Sequence, residues 1–246
     1  MTALSPHPQR HQFATTRWTM VLAAADSAAP QEASQALAEL CEQYWYPLYA
    51  YARRRGLTAD DAQDVTQEFF AHLLSSDAVQ VADPQRGRFR SFLLASLSNF
   101  LANQGRQQHA QKRGGGNTIL SLDLAAGERR YHLEPVDDAT PERIFERRWA
   151  LTLLEQVLAE LRSEYESAGK LALFDHLKPY LGGETDTLPY AELSQQIGMT
   201  AGSIKVAVHR LRRRCGDLLR AAIAQTVADP RQVDEELNHL FTSLRA

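Results

Sequence analysis

Cysteine, β-branched residues and long apolar runs are all scarce in this chain of 246 residues. The two cysteines, Cys41 and Cys215, lie far apart with no Cys-x-x-Cys spacing, which argues against a disulfide framework or a zinc knuckle. Valine and isoleucine number 15 against 68 alanines and leucines, so strands lack their usual stock while helices are well supplied. No apolar run approaches the roughly 20 residues that cross a bilayer. The first ten residues, Met1 to Arg10, also lack the apolar segment of a signal peptide. No membrane association is expected, and a reducing, cytoplasmic setting fits. The eight histidines form no HExxH pair, and Gly114 to Gly116 is not followed by the Lys-Ser/Thr of a phosphate-binding loop. The chain is therefore not read as an enzyme, and no catalytic residue, metal or cofactor is assigned.

With 44% hydrophobic residues the chain can bury a substantial core. Its formal charge of −3 would argue against a nucleic-acid partner if read as one number. The distribution says otherwise. Arg86, Arg88, Arg90, Arg106, Lys112 and Arg113 fall in a stretch of thirty residues, 86–115, without a single acid. Lys205, Arg210, Arg212, Arg213, Arg214 and Arg220 face only Asp217 within 201–220. The compensating acids gather at Asp60, Asp61, Asp64 and Glu68, and again at Asp234 to Glu236. The alternative reading of any one charge run is a solvated helix face.

Helical periodicity organises most of the sequence into an all-α fold. Leu37, Leu40, Cys41, Tyr44, Leu48 and Tyr51 form one stripe, which Pro47 either kinks or divides into two helices. Thr58 is placed to cap a helix whose first turn holds Asp60 and Asp61. A third helix is expected from about Phe89 to Asn103, a long one from Pro141, and a last one within Pro230 to Ala246. The pattern lapses between them, giving two small helical domains, 35–113 and 141–224, joined by a flexible linker over 114–140. Residues 1–34 read as a lead-in and 225–246 as a C-terminal extension.

Pro189 to Arg214 fits a helix-turn-helix with Gly198 at the turn. Leu193, Ile197, Met199 and Ile204 fall at its buried positions, and Ser194 is the small residue at the crossing. Thr200 then caps the second helix. That helix and its cap would offer Thr200, Ala201, Ser203, Lys205, Val206, His209, Arg210, Arg212 and Arg213 to DNA, early residues to base edges and flanking cations to phosphates. A plain helical hairpin with a basic surface is the alternative.

The segment GMTAGSIKVAVHRLRRR, residues 198–214, resembles the C-terminal DNA-binding helix of extracytoplasmic-function (ECF) sigma factors of bacterial RNA polymerase, members of the sigma-70 family. Residues 44–74 are similar to that family's polymerase-binding segment, with Asp61, Asp64, Gln67, Glu68 and Phe69 at matching positions. Residues 88–106 are similar to its promoter-opening helix. The resemblance implies that 35–113 binds core RNA polymerase and opens promoter DNA, and that 141–224 reads promoter sequence. It also implies an anti-sigma or other regulatory protein as a further partner. Phe69 and Phe70 would be apolar anchors beside the acidic face. Phe89, Arg90, Phe92, Asn99 and Asn103 would hold the opened strand by stacking and backbone contact, with Phe92 alternatively part of the core. Ala95, Ser98 and Gln104 stand where members often carry arginine, so opening would be weaker or rest on other contacts. The rival function is a helix-turn-helix regulator that binds DNA independently of core polymerase.

Overall fold

The computed structural model describes residues 43–75, 88–108, 128, 130–131, 139–182, 187–227 and 229–245. The lead-in 1–34 and most of the stretch 114–140 lie outside these residues, as does Cys41. Among the described residues there are eight α-helices and no strand, as the composition predicts. Helix α1 covers residues 43–54, followed by α2 (Ala59–Ser75), α3 (Phe89–Gln108), α4 (Pro141–Ser167) and α5 (Leu171–Leu177). Then come α6 (Tyr190–Ile197), α7 (Ala201–Ala224) and α8 (Val233–Arg245), with single 3-10 turns at Lys178–Leu181 and Pro230–Gln232.

Local chemistry sets the helix ends. The Thr58 hydroxyl accepts from the Asp61 amide at 3.1 Å and donates to its carboxylate at 2.8 Å, closing the start of α2. Thr140 accepts from the Arg143 amide at 3.3 Å, and Pro141, which has no amide to satisfy, occupies the first turn of α4. Pro47 lies inside α1, which runs through it as one helix in the described residues.

Helix α4 is the central post. Ile144, Phe145, Trp149, Ala150, Leu153, Val157 and Leu161 recur at three- and four-residue steps and are all buried. Helices α7 and α8 pack along it, α6 packs on α7, and α3 packs on α2. Tyr44, Leu48 and Tyr51 of α1, Val65, Phe69 and Phe70 of α2, and Leu93 and Leu97 of α3 join α4, α7 and α8 in one continuous apolar cluster. Residues from both halves of the chain thus share a core. Within the stretch read as a linker, Glu128 accepts from Arg53 at 2.9 and 3.1 Å and from Tyr49, while Arg130 pairs with Glu155 of α4 at 2.6 Å.

Between α6 and α7 the chain turns in three residues. Gly198 adopts φ +67°, and its amide donates to the Ser194 carbonyl at 3.1 Å. A side chain at that φ is strained even though open space surrounds the position. Replacing Gly198 with Ala should therefore lower unfolding stability by about 1–2 kcal/mol, seen in urea as an earlier midpoint with unchanged slope.

Candidate nucleic-acid and protein-docking surfaces

The outward face of α7 is built by its cap and its buried stripe. Thr200 accepts from the Ser203 amide at 3.1 Å, which fixes the first turn. Ile204, Val208 and Leu211 turn inward against α4 and α6. Helical periodicity then points Ala201, Lys205, Val206, His209, Arg210 and Arg213 into solvent on one arc. Val206 is 49% exposed, a large apolar side chain left uncovered among cations. Lys205, His209, Arg210 and Arg213 have no ion pair or hydrogen bond among the described residues.

Two arginines of the same helix are differently employed. Arg212, assigned from the sequence to DNA, donates Nε and Nη2 to the Tyr180 carbonyl at 2.9 and 2.6 Å. Tyr180 in turn donates its hydroxyl to the Leu188 carbonyl at 2.5 Å, just ahead of α6. Arg214 pairs with Glu164 of α4, and the guanidinium holds that carboxyl below the usual carboxylate range. Both side chains tie α7 to its supports. This fastening role was missed in the sequence because its partners are a backbone carbonyl and a residue of another helix.

On α2, Asp61, Asp64 and Glu68 are exposed along one face, with Gln67 half-buried at its edge. Glu68 accepts from Gln104 of α3. Phe69 corrects the sequence reading. It is 1% exposed, as is Phe70, and its ring lies 5.9 Å from those of Phe70 and Phe100. These rings hold α2 against α3 and offer no anchor at the surface.

The five residues assigned to strand opening divide in two. Phe92, Asn99 and Asn103 share one face of α3, half-buried at Phe92 and exposed at both asparagines. Phe89 and Arg90 face inward. Phe89 meets Tyr44 edge to face at 5.4 Å. Arg90, only 2% exposed, lies 4.4 Å over the Trp149 ring and donates Nε to Glu146 at 2.6 Å. Its Nη1 is ion-paired with Glu236 of α8, a carboxylate with no exposure at all. Arg88 completes the group through Glu236 at 2.8 Å and Glu235 at 2.7 Å, and His239 lies 2.9 Å from Glu146. Burial pulls the Arg90 pKa down while Glu146 opposes the shift. A faint sequence signal for this cluster existed: Glu236 sits on the buried side of α8 with Leu237 and Leu240, where an acid needs a partner.

Among the described residues no helix is long and apolar enough to cross a membrane, and no group of side chains could hold a metal ion. Removing Arg90 strands two carboxylates. Arg90→Ala should cost about 3–5 kcal/mol of stability, whereas Arg213→Ala should stay within about 0.5 kcal/mol, both measured by denaturant unfolding.

No family model matches the chain, and no solved structure matches it. Among curated proteins the chain is similar to the ECF RNA polymerase sigma factor SigE of Mycolicibacterium smegmatis. The two share 25% identity over 201 residues, which span 82% of this chain and 68% of that protein.

Proposed function

We propose that this protein is a sigma factor of the extracytoplasmic-function type, which binds core RNA polymerase and directs it to specific promoters. The observation that carries the reading is the outward face of α7: unpaired cations around an exposed valine on a helix capped by Thr200 and braced by Arg212 and Arg214. The likeness to a protein named as a sigma factor, along most of the chain, supplies the direction.

In this reading 141–224 is the promoter-reading unit and α7 lies in the major groove. Lys205, Val206 and His209 meet base edges, Val206 suiting a thymine methyl. Thr200, Ala201 and Ser203 sit at the helix start, where the positive end of the helix dipole favours a phosphate. Arg210 and Arg213 follow the backbone. The unit 35–113 docks on the polymerase through Asp61, Asp64 and Glu68, whose negative charge suits a basic or polar helix. Phe92, Asn99 and Asn103 then present a stacking surface and amide groups to a separated strand. The protein works in the cytoplasm with the polymerase and performs no chemistry itself.

Promoter retention with and without core enzyme tests the reading against an independent regulator. A sigma factor shifts its promoter fragment tightly only when core polymerase is present. Tight, sequence-specific binding by the chain alone would favour the regulator. Within the assembled complex, Lys205→Ala and Arg213→Ala should each weaken promoter binding, and loss of one phosphate contact at Arg213 should lower the salt slope by about 0.9. Asp64→Lys with Glu68→Lys should abolish co-purification with core polymerase while leaving the circular dichroism spectrum helical. Retained co-purification would remove α2 from the docking surface.

A further inference from the structure

Arg88 and Arg90 open α3 within the acid-free basic stretch, yet the chain's own carboxylates take up both guanidiniums. Glu236 lies between the pair as a shared counter-charge, one oxygen 2.8 Å from Arg88 Nε and the other ion-paired with Arg90 Nη1. Glu235 adds a second anion to Arg88 at 2.7 Å. Two neighbouring carboxylates spread over two guanidiniums present the same chemistry as successive phosphates of a nucleic-acid strand. These carboxylates come from α8, a helix of 13 residues held chiefly by Leu237 and Leu240 on its inner side. Such a short helix has little stability of its own. Its packing on α4 is also incomplete: a cleft of about 270 Å³ opens between them, lined by Glu146, Arg147, His239, Thr242 and Ser243.

We propose that α8 is an autoinhibitory element whose Glu235 and Glu236 occupy a phosphate-binding site formed by Arg88 and Arg90, so that α8 and a single nucleic-acid strand compete for the same two cations. The inference rests on the role given above to α3 as the strand-facing helix. With α8 docked, Arg90 is closed off between Trp149, Glu146 and Glu236. With α8 displaced, Arg88, one turn before Phe92, and Arg90, on the inner side of α3, both lose the carboxylates of Glu235 and Glu236. The competition also gives a reason for Arg90, a cation of the basic segment, to sit in the interior.

The test uses the full chain and a fluorescein-labelled thymidine strand of about 20 nucleotides, with binding followed by anisotropy over a range of salt. Glu235→Gln with Glu236→Gln should tighten binding about tenfold and steepen the salt slope by about 1.4, the value for two added phosphate contacts on a single strand. Should the double variant fail to fold, Glu235→Gln alone removes an exposed carboxylate from Arg88 and should tighten binding about threefold. In an Arg88→Gln background that gain should vanish. Unchanged affinity, or a gain that persists without Arg88, overturns the proposal, the latter because it reports only general charge. On the parent protein, saturating strand should accelerate hydrogen exchange in α8, and undiminished protection also overturns it. A strand-binding gain without core-dependent transcription would leave the competition standing and remove the sigma-factor reading. Core-dependent transcription with no gain in strand binding would do the reverse.

Discussion

A guanidinium does not give up its proton inside a protein, so burying Arg90 obliges the chain to deliver carboxylates to it. That obligation draws three helices together: Arg90 comes from α3, Glu146 and Trp149 from α4, and Glu236 from α8. The pairing contributes little net stability, because desolvation of the charges offsets most of their attraction. Its effect is on arrangement. Any packing of α3 that brings no anionic partner to Arg90 leaves a naked charge in the interior. The ion cluster therefore specifies how the two halves of the chain meet, while the apolar cluster running through Phe145, Trp149, Leu153, Leu218 and Leu240 supplies the driving force.

Around this centre the charged side chains divide between internal fastenings and open surface. On α7, the cations at positions 212 and 214 are spent on Tyr180 and Glu164, and their fixed geometry holds the remaining cations outward. Three arginines in a row thus do different work, because successive residues on a helix point about 100° apart. On α2, the rings of Phe69 and Phe70 lie inside, so that Asp61, Asp64 and Glu68, on the opposite side of the helical wheel, stand outside. In each case a surface proposed to bind a partner is rigid because its opposite side is core.

What the sequence made legible was local. Thr58 and Thr200 cap the helices they precede, Gly198 takes the left-handed turn, and the helices expected from Pro141 and within Pro230 to Ala246 form as α4 and α8. These features depend on neighbours within a turn or two, and their rules need no tertiary information. The inward position of Arg90 was not legible, since its acidic partners stand 56 residues away at Glu146 and farther still in α8. A basic run looks the same in one dimension whether solvent or a buried carboxylate receives it. Phe69 was misplaced for a related reason: matching a surface motif says which helix docks, whereas burial decides which side chains reach the partner. The outward cations of α7 were legible because their periodicity opposes the buried stripe of Ile204, Val208 and Leu211.

The claim that this protein programs RNA polymerase is tested most directly by transcription in vitro with purified core enzyme and genomic DNA, mapping transcript 5′ ends with and without the protein. The account predicts discrete new start sites, each preceded at constant distance by a common sequence, that appear only when protein and core enzyme are combined. The same start-site map in both reactions would contradict it.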